Sequence, residues 1–214
     1  MTTNYGWVGK LLKIDLSTEK ITEIKTEKYH DFIGGVGIAA KIFFDEVPAE
    51  SGPLDPENQL AFMTGPLTGT MIPGSGRGEL CARSPTPYPK PAWTYSGFGG
   101  GWPAEIKFAG YDGVIVEGRA EAPAFVTVLD NKVEIREAGD LWGLDAFETQ
   151  KKISEKFGDP EIKSMVIGPA GENLVTQSIV VNETASAAGY GGMGAVMGSK
   201  NLKAVAVRGT GEIK

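Results

Sequence analysis

A short apolar run that ends in a glycine-proline turn occurs twice along the chain. Residues 60–66 read LAFMTGP, and residues 164–169 read SMVIGP. Apolar runs of this length that are bounded by turn residues predict buried strands. Each copy is followed by a glycine cluster, a short helical stretch, a lysine and a β-branched run. The pattern therefore predicts a duplicated structural unit.

The residues in front of each apolar run predict a hairpin and then a helix. Alternating apolar and polar positions over residues 8–24 and 124–136 each predict two strands joined by a turn. Apolar residues at helical spacing then predict helices over 38–47 and over about 144–157. The apolar face of the second helix is predicted to consist of Phe147, Ile153 and Phe157.

These elements together predict an α+β fold. Two strand-strand-helix-strand repeats, at about 7–119 and 123–209, would be related by a pseudo-two-fold axis and form mixed sheets with short helices. No charged or Gly/Ser-rich linker divides the chain, so residues 1–214 are predicted to form a single domain. Four prolines between residues 85 and 91 predict that segment 84–103 is an irregular surface loop.

Composition excludes several classes of protein. The net charge of −6 argues against nucleic acid as a partner, and the absence of an eighteen-residue apolar run argues against a membrane span. The first residues carry no signal-peptide pattern. One cysteine, Cys81, excludes an internal disulfide and a self-contained iron–sulfur cluster. A soluble cytoplasmic protein is therefore predicted.

The residues that usually carry catalysis are few. His30 is the only histidine, and Cys81 lies in a strand-like run that predicts a buried structural thiol. Asp112 and Glu117 flank an apolar strand and are predicted to be surface charges at its ends. We therefore predict no catalytic residue and no metal ligand in this chain.

Thirty glycines are the unusual feature of the composition. Clusters at 74–77, 97–101 and 189–194 each precede a predicted strand or helix. Free backbone N–H groups at such positions bind anions, and Arg77 is the cation predicted to contact a phosphate. The competing interpretation is that the glycines form tight turns in a strand-rich fold.

Four longer motifs resemble a known family. They are residues 65–70 (GPLTGT), 107–112 (KFAGYD), 167–174 (IGPAGENL) and 194–204 (GAVMGSKNLKA). In this order they resemble the N-terminal domain of the tungsten-containing aldehyde:ferredoxin oxidoreductases, and the resemblance covers essentially the whole chain. It implies a two-repeat α+β base that holds a bis-pterin cofactor, tungstopterin or molybdopterin.

The resemblance also implies partners for this domain. In the family, two later domains carry the four cysteines of a [4Fe–4S] cluster and complete the substrate cavity. Such enzymes oxidise aldehydes to carboxylic acids and pass the electrons to ferredoxin. This chain lacks the cluster ligands, so it would work with the remaining domains or with a larger cysteine-rich subunit, and it would not be a complete enzyme alone.

The resemblance assigns cofactor contacts residue by residue. The arginine after the Gly-Ser-Gly turn is Arg77, the Ser-Gly of the following loop is Ser96 and Gly97, and the backbone of the second loop contributes Ala187 and Gly189. These five residues are the predicted cofactor-binding site.

Three positions depart from the family pattern, because Val36, Ser186 and Tyr190 stand where the family has arginines. This departure supports an alternative function, a non-catalytic paralogue that has lost pterin binding and acts as an assembly subunit. A binder of another small anion is a third possibility. For the assembly subunit, the interface would be formed by aromatic residues of segment 84–103, namely Tyr88, Trp93, Tyr95, Phe98 and Trp102.

Overall fold

A computed structural model of the chain describes residues 5–87, 89–184 and 186–213. Within these residues the chain forms two six-stranded sheets connected by short helices. No helix in this described part is long and apolar enough to cross a membrane.

The first sheet comes entirely from the first half of the chain. Its strands are β1 (Lys10–Asp15), β2 (Lys20–Lys25), β3 (Leu60–Thr64), β4 (Gly78–Ser84), β5 (Ala92–Phe98) and β6 (Gly113–Glu117). They lie in the order β2-β1-β6-β3-β4-β5, and β1 and β6 form the one parallel pair. A 3₁₀ helix (Thr26–Phe32) and helix α1 (Gly35–Glu46) precede β3, and helix α2 (Trp102–Phe108) precedes β6.

The second sheet repeats this arrangement. Its strands are β7 (Ala124–Leu129), β8 (Lys132–Glu137), β9 (Lys163–Val166), β10 (Val180–Asn182), β11 (Ser186–Ala188) and β12 (Leu202–Arg208). They lie in the order β8-β7-β12-β9-β10-β11, with β7 and β12 parallel. The helices of this half are α3 (Ala146–Phe157), α4 (Pro169–Glu172) and α5 (Met193–Ser199).

The two sheets therefore have the same strand order and the same single parallel pair. The predicted α+β fold with two related repeats is confirmed, and so are both hairpins, the two longer helices and the strands that end in glycine-proline turns. Short apolar runs bounded by turn residues were sufficient to locate these elements because each run is buried on both faces.

The core lies between the two sheets. Apolar side chains from both sheets and from α2 and α5 form one cluster, and Trp102 of α2 also donates a 2.9 Å hydrogen bond to the Val205 carbonyl of the second repeat. Helix α1 covers the outer face of the first sheet and α3 covers the outer face of the second, each with its own apolar cluster. Both faces of each sheet are thus buried by apolar packing.

Segment 84–103 is not the irregular loop that its prolines predicted. Residues 92–98 form β5, which pairs with β4 along seven residues and lies at the edge of the first sheet. The four prolines lie before the strand, and an edge strand leaves one side of its backbone unpaired. Proline density therefore excluded a central strand here but not an edge strand.

Two further predictions about single residues were wrong. Phe147 is 55% exposed, whereas the other two residues predicted for this face of α3, Ile153 and Phe157, pack in the cluster under the helix. Asp112 is buried, because its carboxylate pairs with Lys107 and accepts backbone hydrogen bonds from Val8 and Gly9. The motif at 107–112 therefore contains a buried ion pair that also holds the backbone of Val8 and Gly9.

Candidate functional site

Two adjoining clefts lie beside β4 and β5 of the first sheet, one of them between the edge strands of the two repeats. The first, which we call the edge groove, has a volume of about 510 Å³ and is lined by Thr94, Tyr95, Ser96, Gly97, Gly189 and Tyr190. The second, the arginine cleft, has a volume of about 450 Å³ and is lined chiefly by residues 33–36, the turn at 65–68, Arg77 and Glu79. Gly97 of the edge groove contacts Arg77 and Glu79 of the arginine cleft.

The structure brings most of the predicted site residues to these clefts. Ser96, Gly97 and Gly189 line the edge groove, and Arg77 lines the arginine cleft beside it. Ala187 lies on β11, paired with Val181, and does not line either cleft.

Ser96, a predicted site residue, and Ser186 link the two repeats by hydrogen bonds. The Ser96 hydroxyl accepts a 3.0 Å hydrogen bond from the Tyr190 backbone N–H, and the Ser186 hydroxyl accepts a 2.9 Å bond from the Gly99 N–H. Glu183 accepts from the Gly101 N–H at 3.2 Å. The N–H groups of Gly99 and Gly101 are therefore satisfied inside the protein and are not available to an anion.

Several other glycines are required by backbone packing. Gly192 has a left-handed conformation with φ of 64° and ψ of 31°, which favours glycine. A Cβ atom there would also stand 2.1 Å from the Thr176 carbonyl oxygen. The competing interpretation of the glycine-rich composition, tight turns and close packing, thus accounts for this loop.

Gly97 has a different environment, because the atoms around it belong to charged side chains. A Cβ atom at Gly97 would stand 2.7 Å from the Arg77 guanidinium and 3.3 Å from both carboxylate oxygens of Glu79. Because Gly97 has no side chain, the Arg77 guanidinium and the Glu79 carboxylate both lie close to the same point on one face of the strand. Among the described lining residues of both clefts, Arg77 is the only lysine or arginine.

Glu79 is the site residue that the sequence reasoning missed. It lies on β4, half-buried, and its Oε2 atom is buried without a hydrogen-bond partner among the described residues. Burial raises the pKa of its carboxyl, and the nearby positive charge of Arg77 offsets part of that rise. The sequence signal that could have identified Glu79 is that it is the one charged residue in the run GELCA, at the start of a strand.

Three residues stand at positions where the resemblance led us to expect arginines. Val36 packs against the apolar cluster under α1, and Ser186 is the tie to Gly99. Tyr190 is 64% exposed at the rim of the edge groove.

The described residues include one buried cysteine and no group of side chains that could hold a metal ion. Cys81 is buried, and burial raises the pKa of its thiol well above its usual range, as its strand-like surroundings predicted. Within residues 5–87, 89–184 and 186–213, no three His, Cys, Asp or Glu side chains converge as a metal ion would require.

Comparison with known proteins gives consistent results. Residues 11–209 match the family model of the aldehyde ferredoxin oxidoreductase N-terminal domain. The chain is 42% identical to the tungsten-containing aldehyde ferredoxin oxidoreductase of Pyrococcus furiosus over 211 residues, 96% of this chain and 34% of that protein. It is 37% identical to the aliphatic sulfonate oxidoreductase, WOR-like subunit, of the same organism over 98% of this chain and 35% of that protein.

A solved structure has the same fold. It is the active site complex BamBC of benzoyl coenzyme A reductase in complex with 1,5-dienoyl-CoA, which matches with a TM-score of 0.93 and 38% identity, over 98% of this chain and 32% of that one. The chain thus spans about a third of the length of these relatives. The sequence match and the fold together show that this chain belongs to the aldehyde ferredoxin oxidoreductase N-terminal domain family.

Proposed function

We propose that this chain is the cofactor-binding N-terminal domain of a tungsten or molybdenum bis-pterin oxidoreductase. In the proposed reaction an aldehyde is oxidised to a carboxylic acid in the cytoplasm, with ferredoxin as the electron acceptor. The names of its relatives support tungsten. The chain's length, a third of theirs, supports further domains or a cysteine-rich subunit that would carry a [4Fe–4S] cluster.

The observation that carries the proposal is the arrangement of Arg77 and Glu79 around Gly97. The Arg77 guanidinium is exposed and has no carboxylate within 4.0 Å in the described part of the chain. An arginine free of internal partners can hold a phosphate through two parallel hydrogen bonds. The chain therefore offers a cation at Arg77, an acceptor group at Glu79 and an uncovered backbone at Gly97. These groups fit a pterin that carries a phosphate.

The duplicated edge strands supply the second argument. β5 and β11 occupy the same place in their respective sheets, and both border the edge groove. The hydrogen bonds from Tyr190 to Ser96 and from Gly99 to Ser186 fix the two edges relative to each other. A groove formed by two equivalent edges suits a ligand with two equivalent halves, as a bis-pterin has.

The chain's own residues would bind and orient this group rather than transfer protons or electrons. Arg77 would hold a phosphate, and the backbone of Ser96, Gly97 and Gly189 would lie along the ligand. The bound metal centre supplies two-electron redox chemistry. The relatives differ in the substrate that their names give, from aldehydes to aliphatic sulfonates, so the aldehyde is the part of the proposal that an assay of substrates must test.

Replacement of Arg77 by glutamine is expected to reduce cofactor retention. Loss of one charge-assisted contact to phosphate weakens binding by about 10- to 100-fold. The measurement is tungsten, molybdenum and pterin per mole of protein, purified anaerobically from its own host. Lys151→Gln removes an equal charge from a side chain that is 77% exposed on α3 and is expected to change nothing. Equal cofactor content in Arg77→Gln and the wild type would count against the site.

Replacement of Gly97 by alanine is expected to reduce retention by about tenfold while the fold persists, because the new Cβ would displace the Arg77 guanidinium from its place. Side-chain ends can move aside, so the thermal midpoint should change little. Gly139→Ala is the matched control, because a Cβ there meets no atom within 4 Å. Equal cofactor content in the two alanine variants would show that the cofactor does not depend on the space beside Gly97.

An assembly subunit without a cofactor is the second candidate function, and exposed apolar residues around the clefts favour it. Ile33 and Leu67 border the arginine cleft, and Tyr95 borders the edge groove. Exposed apolar groups at one place commonly mark a protein contact. Of the aromatics predicted for that contact, Phe98 and Trp102 are buried, and Tyr88 lies outside the described residues. Metal-free protein in a stable stoichiometric complex would support this function, and bound tungsten or molybdenum would contradict it.

A further inference from the structure

The turn Phe32-Ile33-Gly34, between the 3₁₀ helix and α1, has an unusual backbone conformation. Ile33 has φ of 65° and ψ of −66°, and the Gly34 N–H donates a 2.8 Å hydrogen bond to the Phe32 carbonyl. Three residues closed in this way form a γ-turn with positive φ at its centre, which is rare and strained. A β-branched side chain adds to the strain, because it crowds the backbone at positive φ.

The Ile33 side chain gains little in return within the described part of the chain. It is 66% exposed, and it lines the arginine cleft together with Gly34 and Gly35. Glycine would adopt the same backbone conformation with much less strain. Strained residues persist where their surroundings hold them, and they are frequent at ligand clamps and switch regions.

Trp7 is the residue that holds this turn. Its indole Nε1–H donates a 2.8 Å hydrogen bond to the Ile33 carbonyl, and its ring stacks on the ring of His30 with the centroids 4.5 Å apart. The indole therefore contacts the strained residue itself and the 3₁₀ helix in front of it. The hydrogen bond to Ile33 is exposed to solvent, so water can replace either partner when the bond breaks.

The backbone on both sides of Trp7 is fixed by the buried ion pair. Lys107 donates to the Gly6 carbonyl, and Asp112 accepts from the Val8 N–H at 3.0 Å. Both charged side chains are buried and pair with each other. The core therefore sets the position of the indole, and the indole sets the position of the turn.

The same turn forms part of the wall of the arginine cleft. Gly34 packs against the next part of that wall, since a Cβ atom there would stand 3.0 Å from Pro66 Cδ and 3.2 Å from Gly65 Cα. Gly65 and Pro66 also line the cleft. A movement of residues 32–34 away from Pro66 would therefore widen the cleft.

We propose that residues 32–34 form a gate on the arginine cleft, which Trp7 holds in the strained, closed position and which opens when the hydrogen bond from Trp7 to Ile33 breaks. The strain at Ile33 favours the open position, and the hydrogen bond favours the closed one. These two contributions are of similar size, so the gate opens without unfolding of the domain. The inference goes beyond the proposed function, because it concerns access to the cleft and not the identity of its occupant.

Amide hydrogen exchange at Gly34 measures the open population, because opening breaks the bond from its N–H to Phe32. Trp7→Phe keeps a ring beside His30 and removes the donor, so the protection factor of this amide is expected to fall about three- to tenfold. Ile33→Gly relieves the strain, so the factor is expected to rise about three- to tenfold. Two substitutions that merely damaged the structure would both lower it.

Access of a small molecule to the cleft is measured with a thiol placed there. Val36 lines the cleft, and Cys81, the one cysteine of the chain, is buried. In a Val36→Cys background, the rate of reaction with dithiobis-nitrobenzoate is expected to rise about three- to tenfold with Trp7→Phe. With Ile33→Gly the rate is expected to fall by a similar factor.

Leu174→Gly is the matched control. Leu174 also has a positive φ, 57°, and is 39% exposed, but it follows α4 in the second repeat and does not line the cleft. Its replacement should leave the Gly34 protection factor and the thiol rate unchanged. The Val47 amide, which donates to the Phe43 carbonyl at the other end of α1, should keep its protection in every variant.

Opposite shifts of the Gly34 protection factor in Trp7→Phe and Ile33→Gly, followed by the thiol rate, would support the gate. Any other pattern would overturn it, whether the two shifts have the same sign, only one variant shifts, or neither does. A thiol rate that does not follow the protection factor would also overturn it, because the turn would then move without changing access to the cleft.

Discussion

Replacement of Asp112 by asparagine is expected to lower the free energy of unfolding by about 3–5 kcal/mol, the cost of removing one partner from a buried ion pair. Asp112 Oδ1 lies 2.8 Å from Lys107 Nζ, and both side chains are buried. Burial lowers the pKa of Lys107, and the negative charge of Asp112 opposes that shift. Without the carboxylate, the ammonium charge would remain buried with no opposite charge beside it.

The same carboxylate also holds the segment in front of β1 and the start of the 3₁₀ helix. Its oxygens accept hydrogen bonds from the Val8 N–H at 3.0 Å, the Gly9 N–H at 2.9 Å and the Thr26 hydroxyl at 2.7 Å. An asparagine side chain has one acceptor oxygen, and its amide NH2 group would face some of these donors instead of accepting from them. The substitution is therefore also expected to weaken the attachment of residues 8 and 9, which lead into β1.

A surface pair provides the matched control. Asp45 pairs with Lys41 at 2.6 Å on the exposed side of α1, and Asp45→Asn is expected to change stability by no more than about 0.5 kcal/mol. Urea unfolding midpoints at constant slope give both values. The double variant Lys107→Met, Asp112→Asn should recover part of the loss, because it also removes the unpaired charge. A loss in Asp112→Asn no larger than that in Asp45→Asn would contradict the prediction.

The topology of this protein could be predicted from sequence because the signals are local and occur twice. Residues 60–66 and 164–169 each combine a buried run with a glycine-proline stop. Asp145 and Gly158 bound α3 as an N-cap and a left-handed C-cap. Each of these signals lies within a few residues of the element that it defines.

The features that sequence could not predict depend on distant contacts. Asp112 looks like a charge at the end of a strand until Val8, more than one hundred residues away, is placed against it. Phe147 fits a helical stripe, but the stripe that faces the sheet is centred on Ile153. β5 forms directly after the four prolines, and its position at the edge is a property of the sheet and not of the segment.

The site could be predicted only in part, because some of its residues lie in recognisable local motifs and one does not. Arg77, Ser96, Gly97 and Gly189 follow from motif resemblance, and the structure places them at two adjoining clefts. Glu79 was missed because its significance lies in what it lacks, a hydrogen-bond partner, and only the packing shows that.

The second large effect is a dependence of stability on pH that comes from Lys200. Its Nζ atom is buried and donates to the Pro56 and Gly118 carbonyls at 3.1 and 3.2 Å, with no carboxylate within 4.0 Å in the described part of the chain. Burial lowers its pKa from 10.5 to about 7. Between these two values the unfolded chain binds a proton that the folded chain does not, so stability rises with pH.

The slope of this rise is at most about 1.4 kcal/mol per pH unit, which gives roughly 3–4 kcal/mol between pH 7 and 10. Lys200→Met should abolish this contribution. The unfolding free energy of the variant minus that of the wild type should therefore fall steadily as the pH rises. Lys107, whose pKa burial also lowers, and Tyr111, whose pKa burial raises to about 12, titrate in both proteins. Their contributions therefore cancel in the difference between the two.

The measurement is the unfolding free energy of both proteins by urea at pH 7, 8, 9 and 9.5. Lys151→Met serves as the control, because this exposed lysine on α3 is expected to give a difference that does not depend on pH. A flat difference between the wild type and Lys200→Met would mean that the Lys200 ammonium keeps its proton in the folded state. The Pro56 and Gly118 carbonyls would then stabilise a buried charge without any carboxylate.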